Sequence, residues 1–155
     1  MKRFADLIAE CLPHIKELFP WVVDKLRQEQ PEALLVDTRE PYEFQAARIE
    51  GSINVPRGIL ETACEYGYEE TLPELVEARE RPVVVICRSG NRSALVTLVM
   101  QQMGYRDVYS LKTGLRGWND FELPLVNADG EPLAMDNADD YFTPRLRPEQ
   151  MPPKG

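Results

Sequence analysis

The segment Val83-Val84-Val85-Ile86-Cys87-Arg88-Ser89-Gly90-Asn91-Arg92-Ser93 constrains this chain more than any other. Four consecutive β-branched residues are too few for a helix, and their unbroken apolarity suits a strand buried on both faces rather than one with a wet side. The polar, glycine-containing stretch that follows cannot continue the strand. From Asn91 to Met103 the pattern becomes helical, with Ala94, Leu95, Leu98 and Val99 expected on the buried side and Gly104 ending the helix. A doubly buried strand feeding a helix needs parallel strands beside it and helices on both faces, which is an α/β domain.

The flanking sequence supplies those elements. Ala33 to Val36, ending at Asp37, and Ile53 to Val55 read as further strands, as does Asp107 to Tyr109. Glu40 to Ala47, Ile59 to Glu65, Leu72 to Glu80 and Thr113 to Trp118 read as helices. The expected fold is α/β, with a central, mostly parallel sheet flanked by helices across residues 31–122. Residues 1–30 carry apolar side chains at spacings of three and four, from Phe4 to Leu26, interrupted by Pro13 and Pro20. They predict two or three short amphipathic helices packed on the domain. Residues 123–155 are proline-rich and lack periodicity, and predict an extended tail that Tyr141, Phe142 and Leu146 could anchor.

The loop after Ile86 carries the chemistry. Ligands of open α/β sheets bind at the carboxyl ends of strands. Successive N–H groups in a tight strand-to-helix loop converge into an anion nest, and the helix N-terminus adds partial positive charge. Together with Arg88 and Arg92, these effects favour the thiolate form of a cysteine at the loop's start. The plainer reading, a structural cysteine ending a strand, does not account for the arginine-rich loop behind it. His14 is the only histidine and is remote in sequence, so a Cys-His pair is not expected.

The three cysteines (Cys11, Cys64 and Cys87) form no C-x-x-C pair, which indicates neither a disulfide framework nor a zinc site. Cys11 reads as part of the N-terminal apolar face and Cys64 as a small apolar helix residue. The net charge of −8 disfavours nucleic acid and anionic membrane as partners. Asp6, Glu10 and Glu17 interrupt the apolar stretch that a signal peptide would need after Met1-Lys2-Arg3, so a cytoplasmic location is expected.

Three stretches resemble the single-domain rhodanese family. Cys87-Arg88-Ser89-Gly90-Asn91-Arg92-Ser93 is similar to its active-site loop. Asp37-Thr38-Arg39, Glu43-Phe44 and Ile49-Glu50-Gly51-Ser52-Ile53-Asn54-Val55-Pro56 resemble its D-x-R, E-F, G-H-I-x-G-A and N-x-P pattern. Gly114 to Gly117, followed by Trp118, resembles its closing element. The departures are Ala47-Arg48 where the family often has Gly-His, and Ser52 where it has alanine.

The resemblance implies sulfur transfer from a donor such as thiosulfate or a low-molecular-weight persulfide to a thiophilic acceptor. Cys87 would carry the sulfur as a persulfide, residues 88–93 would form the anion-binding loop, and no cofactor or metal would be needed. A sulfur-acceptor protein is an expected partner. Arg88 is expected to face the donor, and Arg92 either to bind anion or to tie the loop to Asp37. Arg39 and Glu43, four residues apart, are expected to pair. Lys112 is a candidate for the pocket wall. The competing readings are a non-catalytic module of the same family that only binds a partner, against which Cys87 argues, and a cysteine phosphatase or arsenate reductase of related architecture. The phosphatase loop, however, places five residues between cysteine and arginine where this one has four, and Asp120 is the only candidate acid.

Overall fold

The computed structural model describes residues 1–155. Five strands form one parallel sheet: β1 (Glu17–Leu18), β2 (Leu34–Asp37), β3 (Ile53–Asn54), β4 (Val83–Ile86) and β5 (Val108–Leu111), in the spatial order β1-β5-β4-β2-β3. All four pairings are parallel, so the carboxyl ends of all the strands lie on one edge. β4 is central, as its uniform apolarity demands, and every residue of β2 and β4 is buried.

Side chains alternate across a strand, and here they divide the core in two. Leu34, Val36, Val83, Val85 and Val108 point to one face. There they meet Leu60, Ala63 and Cys64 from α4 and its end (Leu60–Ala63), Leu75 from α5 (Pro73–Val76), and Val96 and Met100 from α6 (Asn91–Gln102). Leu35, Val84, Ile86 and Leu111 point to the other. They meet Val23 from α2 (Pro20–Glu29), Leu115 and Trp118 from α7 (Gly114–Asp120), and Ala138 and Phe142 from α8 (Met135–Phe142). The short helix α3 (Pro41–Ala46) follows β2.

The structure corrects several expectations. The N-terminal region forms the expected short helices, α1 (Phe4–Cys11) and α2, but between them it also adds β1 to the sheet edge beside β5, which was not expected. Its apolar stripe is also only half covered, with Ile8, Cys11 and Val23 buried but Phe4, Leu7, Trp21 and Val22 exposed. The tail is not simply extended, because α8 forms within it and docks Ala138 and Phe142 into the core. The helices expected at 59–65 and 72–80 shorten to single turns. On α6 the fully buried positions are Ser93, Ala94, Val96, Thr97 and Met100 rather than Leu95, Leu98 and Val99. The reason is that α1 also leans on α6, where the Cys11 thiol donates to the Ala94 carbonyl at 3.2 Å. No helix is long and apolar enough to cross a membrane.

Candidate active site

Cys87 directly follows β4, at the carboxyl edge of the sheet, and is fully buried. The next residues turn sharply into α6, whose N-cap is Gly90 in the left-handed region at φ +90°. A side chain there would be strained, and its Cβ would stand 3.1 Å from the Thr113 amide nitrogen and 3.3 Å from the Leu111 carbonyl. This conformation aims the Gly90 N–H at the sulfur, 3.1 Å away. On its inner side the Cys87 thiol contacts the Ser93 hydroxyl at 3.3 Å, and Ser93 in turn bonds Ser110 on β5 at 2.8 Å. The sulfur therefore lies between a backbone donor and a buried hydroxyl pair, both supplied by the loop-to-helix turn and its neighbouring strand.

The loop is held from two further sides. From α7, the Leu115 N–H donates to the Cys87 carbonyl (2.9 Å) and the Arg116 N–H to the Arg88 carbonyl (3.0 Å). Gly114, at φ +62°, lets α7 approach so closely that a Cβ on it would lie 2.4 Å from the Arg88 carbonyl oxygen. From α3, Glu43 receives both terminal nitrogens of Arg92 at 2.9 Å. Burial by itself raises the Glu43 carboxyl, but the Arg92 hydrogen bonds, the Glu40 N–H and the charges of Arg92 and Arg39 outweigh it, so the carboxyl sits below its ordinary value.

These contacts redraw the expected charge pairs. Arg39 does not bond Glu43 and Arg92 does not bond Asp37. Arg39 instead folds back on Asp37, donating through Nε and Nη2 at 2.8–3.2 Å, and both side chains are fully buried. The Asn54 side-chain amide ties the same knot by donating to the Asp37 and Arg39 carbonyls. Arg39 Nη1 has no partner within the chain. Asp37 thus holds the ends of β2 and β3 in place, while Glu43 holds the loop. Sequence spacing favoured the i,i+4 pair. The fold prefers contacts that helical spacing cannot show, because α3 begins only at Pro41, after Arg39.

Lys112 makes no hydrogen bond to the loop and sets its ammonium 4.7 Å from the centre of the Phe19 ring. Asp120 lines an aromatic-walled cleft with Phe19, Trp21, Phe121, Arg116 and the loop's exposed Ser89. Cys64 and Cys11 are buried and unpaired, on elements that do not reach Cys87's hydrogen bonds. Burial pushes both of these thiols above their ordinary value.

Sequence reasoning missed Ser110 behind the sulfur, named Gly114 only within the closing element and not as the contact beneath the loop, and did not place the C-terminal segment at the site. The last reaches the site through the Phe142 carbonyl, which accepts from the Arg88 guanidinium at 2.8 Å. No sequence signal pointed from Glu43 to Arg92, 49 residues away, because the spacing offered Arg39 as a nearer partner. Nothing in the sequence marks a backbone carbonyl 54 residues away from Arg88 as its partner.

Known proteins resemble this chain in sequence and in fold. The chain is 32% identical over 90 residues to thiosulfate sulfurtransferase GlpE of Tolumonas auensis, covering 57% of this chain and 74% of that protein. It is 36% identical over 104 residues to the adenylyltransferase and sulfurtransferase uba4 of Sclerotinia sclerotiorum, covering 63% of this chain but only 22% of that longer protein. Among solved structures, a Rhodopseudomonas palustris protein of unknown function, described as a possible tyrosine phosphatase, superposes with a TM-score of 0.72 at 26% identity, over 80% of this chain and 94% of that one. Residues 20–121, which hold every strand except the edge strand β1, match the rhodanese-like domain, and the chain belongs to that family.

Proposed function

We propose that this protein is a sulfurtransferase whose Cys87 carries sulfane sulfur between a donor and a thiophilic acceptor. The observation that carries this reading is the Gly90 N–H held 3.1 Å from Cys87 Sγ by a left-handed turn at the start of α6. In the first half-reaction the Cys87 thiolate attacks the outer sulfur of thiosulfate. The donor's S–S bond breaks, its electron pair leaves on sulfite, and Cys87 becomes a persulfide anion. In the second, an acceptor such as cyanide, a thiol or a carrier protein's cysteine takes the outer sulfur and the thiolate returns. The Gly90 N–H aimed at the sulfur serves as an oxyanion-hole donor serves acyl transfer, with no reorganisation at the moment of reaction.

The geometry speaks against phosphate-ester hydrolysis. A phosphatase loop places five residues between its cysteine and arginine where this one has four, and Glu43, bonded to both terminal nitrogens of Arg92, leaves that arginine fewer donors for a phosphate. Three unpaired cysteines support work in a reducing compartment such as the cytoplasm.

The test is to incubate reduced protein with thiosulfate, and separately with a low-molecular-weight persulfide, and to follow intact mass. One sulfur should load, and thiosulfate-to-cyanide transfer should be measurable. Cys87→Ser should abolish both, whereas Cys11→Ser and Cys64→Ser should retain them. Cys87-dependent hydrolysis of aryl phosphates with no sulfur loading from any donor would replace this reading with the phosphatase one.

A further inference from the structure

The family match ends at residue 121, yet the chain continues across the active-site loop. α8 is fastened to the domain by Ala138 and Phe142, which are 1% and 2% exposed, and by Asn119 donating to Asp139 at 2.5 Å. Its last turn therefore has a fixed position beside Arg88, where Arg88, Asp140, Tyr141, Thr143 and Arg145 line a pocket of about 340 Å³. Arg88 is the residue after Cys87, and its guanidinium is held by a neutral carbonyl rather than a carboxylate. No acidic side chain balances its charge, whereas Arg145 is shared with Asp140. The Tyr141 hydroxyl has no partner within the chain, and an arginine keeps several N–H donors beyond one ion pair. The pocket thus holds two guanidinium groups against one carboxylate, with a free phenol, in a protein whose overall charge is −8. Local charge of this sign, with planar donor forks, suits a small oxyanion.

We infer that the C-terminal segment Asp140–Arg145 completes the donor site. Together with Arg88 it forms an oxyanion subsite for the sulfonate end of a thiosulfate-like donor, and Tyr141 and Arg145 are its specificity-determining residues. This rests on the sulfurtransferase reading and deepens it. The subsite binds the part of the donor that leaves as sulfite, so it acts on donors carrying an oxyanion and is indifferent to sulfur carriers that lack one. Loading follows the balance given above: the Cys87–sulfur bond forms, the donor's S–S bond breaks, and sulfite departs with the electron pair from the Arg88 side.

Two measurements on the full-length chain test this. The first uses inorganic sulfate as a probe of the Cys87→Ser protein, titrated at constant ionic strength against chloride and read by calorimetry. Sulfate should bind, and adding Tyr141→Phe and Arg145→Gln should weaken it about 5- to 10-fold, as expected for losing exposed charge-assisted hydrogen bonds. The second compares thiosulfate with cysteamine persulfide, a sulfane donor with no oxyanion and no net negative charge, in proteins with Cys87 intact. The double variant should raise KM for thiosulfate about 5- to 10-fold with kcat held within about 2-fold, and leave loading from the persulfide unchanged. Arg145 is largely exposed, and Tyr141→Phe keeps the ring that packs edge-on against Phe142, so the variants should fold, and circular dichroism checks this. An unchanged thiosulfate KM, or equal losses with both donors, overturns the inference. Sulfate binding that depends on Tyr141 and Arg145, with no sulfur loading from any donor, instead overturns the transferase reading and leaves the oxyanion site standing.

Discussion

Gly114→Ala is the sharpest probe of how the fold presents the loop. The glycine sits at φ +62°, and an added Cβ would meet three backbone atoms: the Arg88 oxygen at 2.4 Å, the Arg88 carbon at 2.5 Å and the Ser89 nitrogen at 2.5 Å. No side chain can swing aside, so the loop must withdraw by about 1 Å to reach ordinary contact. The loop is meanwhile held by the Leu115 and Arg116 N–H bonds to the Cys87 and Arg88 carbonyls. A left-handed alanine costs about 1–2 kcal/mol, and overpacking a tight site about 1–3 kcal/mol more. The sum is roughly 2–5 kcal/mol, or about 4–20 °C of melting temperature in a domain of this size.

Gly130→Ala isolates the first contribution. Gly130 has φ +77° with nothing within 4 Å of the added Cβ, so that variant should lose only about 1–2 kcal/mol. Urea unfolding of both proteins, with sulfur loading followed by intact mass, separates strain from collision. Moving the Gly90 N–H by about 1 Å should slow loading in Gly114→Ala roughly 10- to 100-fold, and leave Gly130→Ala near the wild-type rate. Equal destabilisation of the two variants, with wild-type loading in Gly114→Ala, would refute the claim that this contact shapes the loop.

Two further predictions concern stability. Because the Glu43 carboxyl is depressed in the folded protein, its contribution is fully present above the unfolded carboxyl value of about 4.3 and is lost as pH falls through the lower, folded value. Glu43→Gln should therefore be less stable than wild type near neutrality, and the gap should narrow on acidification, as measured by urea midpoints from about pH 6 to about pH 3; a gap independent of pH would count against the Glu43–Arg92 pair as its source. Deleting residues 1–28 removes β1, bares the β5 edge and uncovers the partners of Ile8, Cys11 and Val23. It should cost roughly 5 kcal/mol, an upper estimate, and promote aggregation. A monomeric truncated protein with an unchanged melting temperature would show that the N-terminal region is not part of the folded unit.

Much of this protein is legible in the sequence because the physics there is local. Val83 to Ile86 can be little other than a doubly buried strand, and a glycine after a polar turn before a helical pattern places Cys87 at the start of a loop and Gly90 at an N-cap. Period and propensity act over a few residues, so they survive without knowledge of the fold. The edge strand β1 did not show itself. Two residues, Glu17 and Leu18, have no period to read, and they are extended only because β5 offers unpaired groups: the Ser110 N–H to the Lys16 carbonyl and the Lys112 N–H to the Leu18 carbonyl. Helix α8 stayed hidden in a proline-rich tail because its stability comes from docking Ala138 and Phe142 against Trp118 and its neighbours, not from propensity.

The charge pairs belong to tertiary structure for the same reason. Spacing proposes Arg39 with Glu43, but the choice is made by which carboxylate each guanidinium meets once β2, α3 and α6 have packed, and it falls on Asp37 for Arg39 and Glu43 for Arg92. The sequence by itself determined that there is a cysteine loop at a strand end. Only the assembled fold decided what stands around it, because Ser110, Glu43, Gly114 and Phe142 reach the loop from four separate elements, and coincidence in space leaves no trace in the spacing of residues along the chain.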